Sequence, residues 1–128
     1  MTTNVITVST TDPVKVAHDT INSKQVHHLP VVDDEKLVGM LSSSDLLFFL
    51  RAIHPDSQEQ YLNELRLKNY KVKEIMSEAP LSLEPSDSIE TALKIFAENM
   101  FHAVPIVENM KVVGILTTHD IIVETLKG

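Results

Sequence analysis

The chain has no cysteine, no tryptophan, three glycines and two arginines, Arg51 and Arg66. Without thiols it cannot form disulfides, zinc–thiolate or iron–sulfur centres, or a cysteine nucleophile. That suits a reducing compartment, and the expected location is cytoplasmic. Bases are also scarce: 11 against 18 acids, a net charge of −7. A duplex-binding surface needs clustered Lys and Arg, and here they are scattered. Aromatic residues are 5% of the chain, too few for a base-stacking platform. No apolar run approaches the ~20 residues of a membrane-spanning helix. The opening residues, Met1 to Val5, carry neither a basic start nor an apolar stretch, so no secretory signal is expected. Neither nucleic acid nor membrane is therefore an expected partner. Gly-x-Ser-x-Gly, His-Glu-x-x-His and P-loop motifs are missing. No spacing assembles a nucleophile–base pair, so the chain reads as a non-enzyme with no catalytic residues.

What is present is a repeat. Leu29-Pro30-Val31-Val32 returns as Val104-Pro105-Ile106-Val107, and Leu37-Val38-Gly39-Met40-Leu41-Ser42 returns as Val112-Val113-Gly114-Ile115-Leu116-Thr117. Pro30 and Pro105 lie 75 positions apart, as do Asp45 and Asp120, Asp12 and Asp87, and Ala17 and Ala92. Apolar positions stay apolar between the copies, as two versions of one core should. With 43% hydrophobic and 23% charged residues, the chain has the balance of a globular protein.

Each copy reads as β-α-β-β-α. Val5 to Val8 is a β-branched run. Asp12-Pro13 opens a helix, with Asp12 as N-cap and Pro13 at the first helical position. Val14, Ala17 and Ile21 share one helical face. Strands over 29–32 and 37–41 flank a polar turn, and Ser42-x-x-Asp45 starts a helix through Leu50 and Ile53. The second copy predicts a strand over 81–83, a helix over 87–100, strands over 103–107 and 112–116, and a helix over 118–126. Between them, Gln58 to Leu67 reads as a connecting helix with an apolar stripe at Tyr61, Leu62 and Leu65. The expected division is repeat 1 over 1–54, linker over 55–71 and repeat 2 over 72–128. Neither half buries enough surface to be stable alone, so the two should form one compact α/β module related by a pseudo-twofold.

The pattern His-x-Leu-Pro-Val-Val-Asp, then Leu-Val-Gly-x-Leu-Ser-x-x-Asp, resembles the cystathionine β-synthase (CBS) domain. Two in tandem resemble a CBS pair, or Bateman module, over all but the linker. Val72-Lys73-Glu74-Ile75-Met76 resembles the usual opening of such a unit; nothing before Met1 supplies it to the first copy. The resemblance implies a regulatory module with no cofactor, binding an adenine nucleotide or adenosyl compound: AMP, ADP, ATP or S-adenosylmethionine. It also implies a homodimer joined through its helices, with a regulated protein partner.

The strand-to-helix junctions Gly39-x-x-Ser42-x-x-Asp45 and Gly114-x-x-Thr117-x-x-Asp120 suit such a ligand. Helix N-termini offer N–H groups to phosphate. Ser42 and Thr117 can donate to it, and Asp45 and Asp120 can accept from ribose hydroxyls. Gly39 and Gly114 leave room for a ligand or another backbone. Met40 and Ile115, with Ala17, Ala92, Val31 and Ile106, could form an adenine slot. The same spacing is also a capping box, which needs no ligand. The family resemblance assigns one site to Met40, Ser42, Asp45 and His28 with Asp87 and Ala92. It assigns the other to Ile115, Thr117, Asp120 and His119 with Asp12 and Ala17. His27 and His102 read as structural, hydrogen-bonding to backbone, and no metal site is expected. Histidine brings less charge than arginine at pH 7, so the sites should be unequal and grip triphosphate weakly. The alternative reading is a protein–protein interaction module with vestigial clefts.

Overall fold

A computed structural model describes residues 5–50, 57–78, 81–99 and 102–127. The chain divides into two compact units that do not follow the repeat boundary. The first unit is Ile6–Asp34 with Val38–Ala79, and the second is Met1–Val5, Glu35–Leu37 and Pro80–Gly128.

The first unit runs β1 (Val8–Ser9), α1 (Val14–Lys24), β2 (His28–Asp33), all but the first two residues of β3 (Lys36–Ser42), α2 (Ser43–Leu50), α3 (Ser57–Asn69), α4 (Val72–Ile75) and β4 (Ser77–Glu78). β1 is parallel to β2, with Val8 opposite Val31, and α1 makes the crossover. β2 neighbours β3, and β4 lies antiparallel to β3 with Gly39 opposite Glu78. The apolar face of α1 buries Val14, Ala17 and Ile21, the spacing read from the sequence. They meet Leu29, Val31, Leu41 and Leu46. Leu67 of α3 and Val72 of α4 complete this core.

The second unit contains α5 (Ile89–Asn99), β5 (Ala103–Glu108), β6 (Lys111–Thr117) and α6 (Thr118–Lys127). β5 and β6 form an antiparallel hairpin with a register shift between Ile106 and Val107. Its core is Leu83, Ala92, Phe96, Val104 and Ile106. Lys36 pairs with Lys111, and the Leu37 N–H donates to the Met110 carbonyl at 3.3 Å.

Several expected elements are corrected. The first strand is only Val8–Ser9, the residues that lie opposite Val31 and Val32. Residues 81–83 form no strand; Leu83 makes a single parallel bridge to Ile106, and Pro85, lacking an N–H, cannot extend a ladder. Asp12 is not the N-cap of α1. Pro13 holds that place, extended and with no side-chain cap bond, because the Asp12 carboxylate accepts the Ser9 N–H at 2.8 Å instead. The helix expected from 87 starts at Ile89; Asp87 accepts the Glu84 N–H, and the Ser88 hydroxyl accepts the Thr91 N–H. The linker helix runs longer than expected, to Asn69. It is more than a surface helix, since Leu67 is buried while Tyr61 stays 61% exposed. Ile53 and the start of the linker, residues 51–56, lie outside the described residues.

Both hairpin turns place two non-glycine residues at positive φ: Asp34 and Glu35, then Asn109 and Met110. That is the pattern of a type I′ turn, which favours Asn-Gly. A side chain at left-handed φ costs about 1–2 kcal/mol, more than glycine's added chain entropy of roughly 0.5–1 kcal/mol. Met110 is 61% exposed, so it gives up little burial. Met110→Gly is expected to stabilise the protein by about 0.5 kcal/mol, read as a higher urea midpoint at unchanged slope.

Candidate functional site

The two strand-to-helix junctions share one construction. At the first, the Ser42 N–H donates to Asp45 Oδ2 at 2.9 Å, and the Asp45 N–H donates to Ser42 Oγ at 3.1 Å. At the second, the Thr117 N–H donates to Asp120 Oδ2 and the Asp120 N–H to Thr117 Oγ1, both at 3.0 Å. Both are complete capping boxes. The Ser43 N–H donates to the His27 carbonyl at 2.9 Å, and the Thr118 N–H to the His102 carbonyl at 3.0 Å. His27 and His102 thus serve the backbone through their own carbonyls.

This network corrects the expected phosphate cradle. Three of the four N–H groups at each helix start are already used. Among the described residues only the Ser44 and His119 N–H groups are left without a partner at these junctions. The hydroxyls of Ser42 and Thr117 accept a bond and still have a proton to donate. Asp45 and Asp120 are half-buried and are fixed through Oδ2, which leaves Oδ1 for another donor.

The other expected residues fall in different settings. Met40 lies half-buried on β3 opposite Ser77. His28, half-buried, begins β2, and His119 is exposed in the first turn of α6. Ile115 is core, at 9% exposure. Ala17 and Val31 are 0% exposed and offer a ligand no surface; their work is packing, which corrects their assignment to the adenine slot and that of Ala17 to the site. The space above Gly39 is taken by the Met76 side chain and by backbone: a Cβ there would lie 2.5 Å from Met76 Sδ and 2.8 Å from the Ser77 carbonyl oxygen. No group of three His, Asp or Glu residues placed to hold a metal occurs among the described residues.

Each unit has its own cavity beside its carboxylate. In the first, a cleft of about 580 Å³ is lined by Asp45, Phe48, Phe49, Arg66, Tyr70 and Glu74, with Ile75. Phe49 and Tyr70 meet edge-on at 5.3 Å. Arg66 is oriented by Asn63, whose Oδ1 accepts its guanidinium N–H at 2.8 Å. In the second, a cavity of about 320 Å³ brings together Asp87, Ala92, Ile106, Leu116, Asp120 and Glu124. Both volumes fall in the range of small-molecule pockets. Arg66, Tyr70 and Glu74 were not found by comparing the copies, because two of them lie in the linker and Glu74 lies ahead of the stretch that the comparison covers.

The CBS domain signature matches residues 1–52 and 72–126. The chain belongs to the CBS-domain family. It is similar to the CBS domain-containing protein YhcV of Bacillus subtilis, at 30% identity over all of this chain and 84% of that one. CBSX2 of Arabidopsis thaliana, in complex with AMP, superposes with a TM-score of 0.79 at 30% identity, covering 97% of this chain and 90% of that one. Protein MJ1225 of Methanocaldococcus jannaschii superposes with a TM-score of 0.81 at 25% identity; this chain spans 44% of its length. Inosine-5′-monophosphate dehydrogenase of Thermoplasma acidophilum matches 93% of this chain, but over only 21% of the enzyme. CBS repeats thus occur here as nearly the whole matched length and there as a small part of an enzyme. Among the described residues no helix is long and apolar enough to cross a membrane.

Each CBS repeat relies on its junction for stability. Ser42→Ala and Thr117→Ala each remove one cap acceptor and are expected to cost about 1 kcal/mol. The two losses should be equal within about 0.5 kcal/mol and additive. Urea unfolding of both single variants and the double variant checks this.

Proposed function

We propose that this CBS pair is a regulatory module that binds an adenosine compound beside Asp45 and Asp120. Oδ1 of each carboxylate accepts from the ribose hydroxyls. The Ser42 and Thr117 hydroxyls donate to the ligand's phosphate, with Met40 and Ile115 toward the base and His28 and His119 as further polar contacts. Asp12, Asp87 and Ala92 complete the assigned set. One observation carries the reading: two equivalent carboxylates, each locked through one oxygen, each on the lining of a nucleoside-sized cavity. The AMP complex of CBSX2, 30% identical to this chain, supports the ligand class.

AMP, ADP or S-adenosylmethionine is favoured over ATP. Among the described residues Arg66 is the one arginine on the lining of the first cleft, and few helix N–H groups remain to share with a triphosphate. The module acts in the cytoplasm as a homodimer and passes ligand occupancy to a protein partner; it performs no chemistry itself. The exposed apolar side chains of α2 (Leu47 and Phe48) and α6 (Ile122 and Leu126) support the dimer. The saturated capping boxes support the second reading, an interaction module without a small ligand.

Calorimetry with AMP, ADP, ATP, S-adenosylmethionine and NADH separates the two. Asp45→Asn and Asp120→Asn keep an acceptor for the cap but lose the charge. Each is expected to weaken binding at its own cleft about tenfold or more, since a charge-assisted bond contributes about 1.5–3 kcal/mol. Arg66→Ala is expected to weaken AMP and leave adenosine unchanged. Wild-type protein that binds none of the five compounds establishes the interaction reading. Asn variants that bind like wild type remove the ribose assignment.

A further inference from the structure

Arg66 lines the first cleft with two acids, Asp45 and Glu74, and both acids already serve the main chain. Asp45 Oδ2 accepts the Ser42 N–H and Glu74 Oε2 accepts the Lys71 N–H, each at 2.9 Å. Among the described residues no carboxylate forms an ion pair with Arg66. Its partner is a neutral amide: Asn63 Oδ1 accepts a guanidinium N–H at 2.8 Å. Asn63 and Arg66 stand three positions apart on α3, where side chains are neighbours on one face, and both are half-buried.

The backbone under this pair is anchored. Leu67, next to Arg66, is buried in the core of the first unit. The Tyr70 N–H donates to the Arg66 carbonyl at 3.1 Å, and the Val14 N–H donates to the Tyr70 carbonyl at 2.9 Å, which ties the end of α3 to the start of α1. A guanidinium carries five N–H donors in a rigid fork and stays charged at every physiological pH. The bond to Asn63 occupies one of them. A neutral acceptor orients the fork without cancelling its charge, whereas a carboxylate in the same place would do both.

We propose that Asn63 is a positioning residue that presents Arg66 to the first cleft, and that Arg66 so held selects a nucleoside monophosphate over the bare nucleoside. The fork gives two parallel N–H bonds to two oxygens of one phosphate. Because Asn63 holds it before the ligand arrives, little rotamer freedom is lost on binding. This assignment rests on the adenosine reading above and adds to it the pair of residues that separates AMP from adenosine.

The test is calorimetry of the full chain with AMP and with adenosine, read as the ratio of the two affinities. Both ligands meet the same folded protein, so partial loss of fold moves both alike and leaves the ratio in place. Wild-type protein is expected to prefer AMP about tenfold or more, as charge-assisted bonds to one phosphate require. Arg66→Ala should bring the ratio to about one. Asn63→Ala should lower it about threefold or more, since the fork is released. Asn63→Asp keeps an acceptor for the fork but pairs with its charge, and should lower the ratio further than Asn63→Ala does. A purely structural asparagine would show the reverse order, with aspartate the better replacement. An Asn63→Asp ratio at or above that of wild type overturns the proposal. A wild-type ratio of about one also overturns it, and leaves the adenosine reading standing. Wild-type protein that binds neither compound removes both. If the variants weaken S-adenosylmethionine and leave the ratio in place, Arg66 holds a carboxylate and the phosphate assignment is wrong.

Discussion

A carboxylate that accepts the main-chain N–H three residues before it recurs through this molecule. Asp12 holds Ser9, Asp45 holds Ser42, Asp87 holds Glu84 and Asp120 holds Thr117, at 2.8–3.0 Å. Glu74 does the same for Lys71. Each bond is charge-assisted and closes a turn where the chain changes direction, so it fixes the angle at which the next element leaves. At the junctions before α2 and α6 the hydroxyl of Ser42 or Thr117 completes the box. The candidate sites depend on these hooks, because they hold the same carboxylates that would meet a ribose. A side chain already immobilised by the fold loses less entropy on meeting a ligand than a free one would.

The units differ in what covers them. α3 and α4 supply the first unit with Leu67 and Val72, and among the described residues no counterpart covers Ile89 in the second. A buried Val side chain contributes about 1.5–3 kcal/mol relative to an exposed one. The linker is therefore part of the first unit's stability. The compact units cut across the sequence repeats for this reason: residues 72–78 belong by sequence to the second copy and by packing to the first.

The repeat, the apolar face of α1, the hairpins and the pairing of Ser42 with Asp45 and Thr117 with Asp120 were all legible in the sequence. Each depends on contacts between near neighbours or on a pattern stated twice. The N-cap of α1 was not, because Asp12 satisfies two rules at once. It can cap forward or hook backward, and the N–H of Ser9 three residues earlier takes the carboxylate. Residues 81–83 have strand composition but only one rung of pairing, since strand character is settled by the partner and not by the segment. The use of helix N–H groups by the His27 and His102 carbonyls was invisible for a similar reason: those carbonyls come from across the unit. Arg66 and Tyr70 escaped because a comparison of copies is blind to whatever only one copy possesses.

The divergence between the copies is itself ordered. Positions that fill the cores stay apolar, most of them changing by a methyl group or not at all, as Val31 to Ile106 and Ala17 to Ala92 do, with Ile21 to Phe96 the larger change. A position on both cavity linings changes in kind: Phe49 becomes Glu124. The first cleft also has Arg66 on its lining with Asp45 and Glu74, while the second has four acids and, among the described residues, no base on its lining. An anion therefore finds a partner in the first and repulsion in the second, and with a net charge of −7 the remainder of the chain does not offset that difference. The two linings, which share only the pairs Asp45/Asp120 and Phe49/Glu124, thus favour different charges, so equal occupancy by a single phosphorylated ligand would run against their electrostatics.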